Sequence, residues 1–237
     1  MANKKHKKRS VRTKNRPHSR IYHGMGALFI FGALYFGYIY YNSHFVTPWQ
    51  SSSDKAGFAS VVDNYSEDVK TAAAAFNLPY PYLMSLIQLE CSGRKPAGER
   101  FEPHVFRRLQ AVRDGKRKNY ENITAAHLTD ASDAALKNLA TSWGPFQLMG
   151  YKCILLDVKI RDIRGNMGVY HGADWINQTY GDRLRRGEYK NCFHLHNTGR
   201  PYPKVGLPST HDPQYVPRGV AGISRYNSNS EPNHARK

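Results

Sequence analysis

Leu83, Leu86, Ile87 and Glu90 recur at i, i+3, i+4 and i+7, which puts a carboxylate on one helix face with three aliphatic side chains. Cys91-Ser92-Gly93 follows, and the glycine is a natural helix stop. A carboxylate on a buried face loses hydration, and the negative end of the helix dipole adds to the cost of ionising it. Both effects raise its pKa, which is what a general acid needs to hold its proton near neutral pH. A glutamate turned to solvent at a frayed helix end would show the same spacing. Spacing alone therefore leaves both roles open.

The surrounding residues narrow the choice. Glu90-Cys91-Ser92-Gly93 resembles the Glu-Ser-Gly motif that carries the catalytic acid in soluble lytic transglycosylases and goose-type lysozymes. Ser142-Trp143-Gly144-Pro145-Phe146-Gln147-Leu148-Met149-Gly150 resembles their Gly-x-x-Gln-(hydrophobic)-Met segment. Asn197-Thr198-Gly199 is similar to their Asn-x-Gly, and Tyr215-Val216 to the Tyr-Val that follows it. The order and wording are closer still to the bacterial and phage N-acetylmuramidase domain, with Phe101-Glu102-Pro103-His104 as its Phe-Glu-Arg-His block. The resemblance spans residues 78–226 and implies a mainly α, lysozyme-like domain that acts on peptidoglycan without a cofactor or metal. Two departures stand out: Cys91 takes the place of the transglycosylase serine, and Pro103 that of the muramidase arginine. The second removes a guanidinium that could have paired with Glu102.

The same resemblance implies a division of labour. Glu90 would protonate the oxygen between N-acetylmuramic acid and N-acetylglucosamine as the sugar becomes oxocarbenium-like. Ser92, Trp143, Gln147, Met149, Asn197 and Tyr215 would face the substrate, and the amide of Gln147 can bond a sugar without introducing charge. Trp143, Phe146 and Tyr151 serve equally well as core fillers, and Asn197 as an ordinary turn residue before glycine. A muramidase needs an ordered water, often held by a second carboxylate, which inverting enzymes place roughly 6.5–9.5 Å from the acid. Glu99, Glu102 and Asp114 are nearest along the chain, and Glu102 leads through its motif. A lytic transglycosylase needs no second carboxylate, because Glu90 would take the proton from the muramic acid's own C6 hydroxyl. Both outcomes stay open at this level.

Other chemistries compete. His194-x-His196, with His171 and Asp174 upstream, has the residue types of a zinc peptidase ligand set, and two such histidines on a strand could share one metal. His171 and Asp174 are too close together for the usual spacing, however, and fall within an expected helix. A wall-binding or assembly protein on a degenerate lysozyme scaffold is the non-enzymatic alternative, but it has no need of a costly carboxylate on an aliphatic face. The three cysteines, Cys91, Cys153 and Cys192, allow one disulfide, with Cys153–Cys192 the more attractive pair, or three reduced thiols.

Helices are expected to position these groups. Val61, Val62, Tyr65, Val69, Ala72, Ala73 and Phe76 favour one face of a helix ending near Asn77. Pro79 and Pro81 open a second, running to Glu90. Further helices are expected over 104–113, over 133–140 with Ser132 as N-cap, and over 162–180. Residues 143–149 suit a short extended piece, and Gly and Pro dominate after Gly199.

The N-terminal part has a different character. Residues 1–20 hold nine Lys or Arg and no acid, which leaves 26 basic against 18 acidic residues in the rest of a chain of net charge +17. Half the excess charge thus sits in a tail, so composition is a poor argument for a nucleic-acid partner. From Ile21 to Ser53 there is no Asp, Glu, Lys or Arg, and Gly24 to Tyr41 reads as an unbroken apolar and aromatic run. Eighteen to twenty helical residues cover roughly 27–30 Å, the hydrocarbon thickness of a bilayer. With the bases on its N-terminal side, the positive-inside rule sets the tail in the cytoplasm and the remainder outside. The expected organisation is a basic tail (1–20), a transmembrane helix (21–43), a tether (44–57), a catalytic domain (58–227) and a polar tail (228–237). The expected partners are peptidoglycan and the membrane, with a place in an envelope-spanning or virion assembly.

Overall fold

The computed structural model describes residues 52–227, so the basic tail, the expected transmembrane segment, most of the tether and the polar C-terminal tail lie outside the described residues. Among the described residues no helix is long and apolar enough to cross a membrane. α1 (Ser52–Phe76) includes residues 52–57 of the expected tether. Val61, Tyr65, Val69 and Ala72 recur on one side of α1 and are buried, which continues the expected face. The chain turns at Asn77, whose φ of 48° ends the helix, and α2 (Tyr80–Cys91) starts with proline in its first turn.

Helix α2 is central. Every residue from Tyr82 to Gln88 is buried, so its apolar stripe has partners all round. It ends at Ser92, whose φ of 53° and N–H to Gln88 O (3.0 Å) form a left-handed cap. Gly93 continues with φ 73°, and a Cβ there would stand 2.4 Å from Val61 N of α1. A helix stop expected on conformational grounds is therefore also a point of backbone contact.

After α2 come β1 (Glu99–Phe101), α3 (Pro103–Arg113), the short pair β2 (Asn119–Tyr120) and β3 (Ile123–Thr124), and α4 (Asp133–Leu139). Ser132 caps α4, its Oγ accepting from Ala135 N at 3.2 Å. β4 (Thr141–Trp143) and β5 (Leu148–Met149) complete a small antiparallel sheet of order β1-β4-β5. Its register sets Glu99 opposite Trp143, Phe101 opposite Thr141, and Ser142 opposite Met149. The expected extended piece at 143–149 is thus a hairpin.

Helices fill the remainder: α5 (Lys152–Leu155), α6 (Ile160–Arg164), α7 (Gly168–Arg185), α8 (Tyr189–Thr198) and α9 (Tyr215–Asn227). The single helix expected over 162–180 is two, broken at residues 165–167, where Gly165 adopts an extended conformation. The Gly- and Pro-rich end was also misleading, since it contains α9. One face of α9 carries Tyr215, Gly219, Gly222 and Tyr226, and that face packs on α2. A Cβ on Gly222 would stand 2.2 Å from Ser85 Oγ, and Ser85 Oγ donates to Gly219 O at 2.7 Å. Missing side chains let the two backbones approach closely.

The fold is mainly α, with two apolar clusters. One joins α1, α2, α7, α8 and α9 around Tyr82, Leu86, Ala173 and Phe193. The other joins α3, α4 and the sheet around Leu109, Ile123, Leu136 and Trp143. Cys91 and Cys192 lie in the first and Cys153 in the second; all three are free, so the Cys153–Cys192 disulfide is not formed.

Candidate active site

Glu90 stands in the last turn of α2, its side chain 15% exposed, at the wall of a cleft of about 850 Å³. Residues from the α2–β1 segment, the sheet, α5, the end of α8 and the start of α9 line this cleft. The hydroxyl of Tyr215 donates to Glu90 Oε1. His196 Nε2 stands 3.8 Å from the same oxygen.

The histidine is held by two neutral partners. Its Nε2 lies 2.9 Å from the Phe146 carbonyl, which only accepts, so the proton sits on Nε2. Nδ1 is then the acceptor for Tyr180 Oη at 2.8 Å, and Tyr82 Oη stands 3.4 Å behind Tyr180. Burial, reinforced by the charge of Lys152, pushes the imidazole down to about 3. At neutral pH His196 is an uncharged wall.

Glu90 is shifted the other way. Burial pushes its carboxyl up to about 7, against the opposing pull of the Tyr215 hydrogen bond and the Lys152 charge. Lys152, at the start of α5, is lowered by burial to about 8. A carboxyl that keeps its proton at neutral pH and faces an open cleft can deliver that proton to a leaving oxygen.

Of the residues singled out in the sequence, Glu90, Glu102, Gln147, Met149, Asn197 and Tyr215 line the cleft together. Trp143 does not. It is 5% exposed, donates through Nε1 to Asn138 O at 2.9 Å and lies under the Arg164 guanidinium at 4.4 Å, so the core-filling alternative applies. Ser92 is exposed and caps α2 outside the cleft lining.

Gln147 needs a narrower correction. It lines the cleft, but its Oε1 accepts from Ser142 Oγ at 2.9 Å and its Nε2 faces Gly98 O at 3.3 Å and Gly144 O at 3.1 Å. The amide ties the β4–β5 turn to the α2–β1 segment instead of standing free for a sugar. Glu102, at the N-terminus of α3, is engaged by Arg100 Nε at 3.0 Å, with His104 Nδ1 at 3.5 Å. A guanidinium from β1 thus pairs with Glu102, where Pro103 offers none.

His194 and His196 sit on α8, not on a strand, and residues two apart on a helix diverge by roughly 200°. His194 Nδ1 faces Arg200 O at 2.7 Å, while His196 is committed as above. Among the described residues no group of three His, Cys, Asp or Glu could hold a metal ion.

Lys152, Asp212 and Arg218 line the cleft with no motif to reveal them, and His196 stood out only as a possible metal ligand. Arg218 Nη2 bonds the Asp212 carboxylate, which also accepts from Gln214 N at 2.8 Å. The only available signal was position, since Lys152 closely follows the Ser142–Gly150 block and Arg218 lies one helical turn beyond Tyr215. No family model, curated protein or solved structure matches the chain.

Proposed function

We propose that this chain is a peptidoglycan glycosidase with a lysozyme-like domain, which cleaves glycan strands between N-acetylmuramic acid and N-acetylglucosamine. The observation that carries the reading is Glu90. Its carboxyl is desolvated, hydrogen-bonded by Tyr215, raised to about 7, and open to a cleft large enough for several sugar rings. In the first half-reaction Glu90 gives its proton to the bridging oxygen as positive charge develops on the sugar. The ionised Glu90 then takes a proton from the incoming nucleophile. With water the enzyme is a muramidase, and Glu99, Glu102 and Asp212 are the other cleft carboxylates that could order it. With the C6 hydroxyl of the same muramic acid it is a lytic transglycosylase, which needs Glu90 alone.

The resemblance carried by the Glu90–Gly93, Ser142–Gly150, Asn197–Gly199 and Tyr215–Val216 segments supports this reading. Tyr215, Asn197, Gln147 and Glu90 come to one cleft from separate parts of the chain. The uncharged run at residues 21–43 supports a single-pass anchor with the enzyme outside the cytoplasmic membrane, cutting wall within reach of its tether. A reporter fused to the C-terminus would test that side of the proposal, and activity only in the cytoplasm would refute it.

The chemical test is mass spectrometry of muropeptides released from purified peptidoglycan by the full-length protein and by Glu90→Gln. Reducing ends identify a muramidase and 1,6-anhydro ends a transglycosylase. No products from the wild-type protein would overturn the function.

A further inference from the structure

The cations that line the cleft are not equally occupied. Arg100 is paired with Glu102 at 3.0 Å, and Arg94 Nε donates to Cys91 O at 3.2 Å. Lys152 has no carboxylate within ion-pair distance among the described residues. Its ammonium lies 4.6 Å over the Trp175 ring, and the Glu90 and Glu121 carboxylates act on it only through space. Arg218 is half-occupied. Its Nη2 bonds Asp212, but its Nε is buried with no hydrogen-bond partner. The buried guanidinium N–H is costly without a partner, and the half-buried Lys152 ammonium lines the cleft with no carboxylate paired to it.

The two cations line the same cleft as the catalytic pair. The charge of Lys152 acts on Glu90, and that of Arg218 acts on Tyr215, whose hydroxyl is bonded to Glu90. Both cations line the cleft that Glu90 faces, so an anion held by these groups lies in that cleft, on the substrate itself. A neutral amino-sugar polymer such as chitin offers nothing of this kind. Muramic acid does, through the carboxylate of its lactyl ether or through the carboxylates of a peptide attached there.

We propose that Lys152, assisted by Arg218, forms a carboxylate-binding subsite that selects an anionic, muramic-acid-bearing strand over a neutral one. The proposal rests on the glycosidase reading and adds the source of its specificity. It also couples binding to catalysis. Lys152 pulls the Glu90 carboxyl down, so an anion that neutralises Lys152 releases that pull and favours the protonated acid when substrate is bound.

The test measures binding to the full-length protein of three short probes. These are N-acetylglucosaminyl-N-acetylmuramic acid with a free lactyl carboxylate, the same disaccharide as its neutral lactyl methylamide, and the disaccharide carrying a short acidic peptide. At least one acidic probe is expected to bind about tenfold more tightly than the methylamide, the scale of one charge-assisted hydrogen bond. Whether the free lactyl or the peptide form shows the gain identifies the source of the carboxylate.

Lys152→Met should erase the gain, and Lys152→Arg should keep it, with melting curves showing that both variants fold. The groups facing Lys152 are Glu90 from α2, Glu121 from the β2–β3 turn, His196 from α8 and the Trp175 ring from α7. Of these, Glu90 is pushed up to about 7 and His196 stays neutral, so the acid preference should fade as pH rises through about 8, where Lys152 loses its charge.

Equal binding of all three probes, or a gain that survives Lys152→Met, would overturn the subsite. Digestion of intact peptidoglycan run in parallel separates the two levels. Cleavage without acid preference removes the subsite alone, whereas no cleavage together with no probe binding removes the glycosidase reading as well.

Discussion

The hydroxyl of Tyr215, at the first residue of α9, donates to the carboxylate of Glu90, near the end of α2, across 125 residues of sequence. Among the described residues it is the one hydrogen bond to Glu90 from another side chain, and it opposes the effect of burial by favouring the ionised form. The acid is therefore set between two pulls of opposite sign.

Tyr215→Phe removes one of them. The Glu90 carboxyl should then rise above about 7, because the bond that favours its ionised form is gone. An acid that must be protonated to act loses activity as pH rises through its pKa, so the alkaline limb of kcat/KM should move to higher pH in the variant. The maximal rate should fall as well, because the carboxyl is less firmly aimed. An alkaline limb that does not move would show that it reports another group.

Glu90→Gln should abolish cleavage, since general acid–base catalysis is worth roughly 10²–10⁴ in rate. Its effect on stability has a definite sign. Burial holds the folded carboxyl at about 7, while the unfolded one has the ordinary glutamate value of 4.5, so ionisation opposes folding. That penalty is absent below the unfolded pKa, grows between the two values and is complete above the folded one. At pH 8 the glutamine variant should be more stable than wild type by up to roughly 3 kcal/mol, while at pH 4 the two should match. Chemical denaturation at the two pH values measures both, and a variant less stable at pH 8 would show that the charged form of Glu90 has a structural partner.

Gly222→Ala tests how Tyr215 is brought to its place. A methyl group 2.2 Å from Ser85 Oγ cannot be accommodated without moving α9 off α2 or disturbing the Ser85–Gly219 bond. Overpacking of this kind costs about 1–3 kcal/mol. The same displacement carries Tyr215 away from Glu90, so kcat should fall in protein that remains folded. Ser85→Ala in the Gly222→Ala background should recover part of both losses by making room, and a pair of strictly additive effects would count against the contact.

Much of this arrangement was legible in the sequence, and the misses have physical causes. Glu90 was found because one amphipathic helix carries both the acid and the aliphatic face that buries it. Helix α9 was hidden because its packing face is built from Gly219 and Gly222, with Pro217 in its first turn, so residue preferences suggested a loop. What makes it a helix against α2 is closeness of approach, a tertiary property. Residues 162–180 carried one helical pattern through Gly165, where the chain breaks in an extended conformation. Lys152 carries no motif and His196 stood out only in a His-x-His pair, because their roles come from what surrounds them after folding. Trp143 could face a sugar or the core, and the carbonyl of Asn138 with the guanidinium of Arg164 settles it as core.

Gln147 is the residue whose role changes most when its contacts are known. The resemblance implied an amide free for substrate, yet both ends of that amide are bonded within the protein, to Ser142 and to the carbonyls of Gly98 and Gly144. Its backbone φ of 47° lies in the left-handed region, where a non-glycine residue needs support from its surroundings. Gln147→Ala removes the support and keeps the unfavourable backbone, so it should lower stability by about 1–2 kcal/mol and reduce turnover through a loosened cleft wall. Gln147→Gly also removes the amide but relieves the backbone cost. If the amide acts mainly by holding the turn, glycine should recover part of the stability while turnover stays low, because the tie to Gly98 is still missing. If the amide instead served substrate alone, both variants would melt like wild type and differ from it only in KM. Melting curves and steady-state kinetics on the two variants decide between a strut and a ligand.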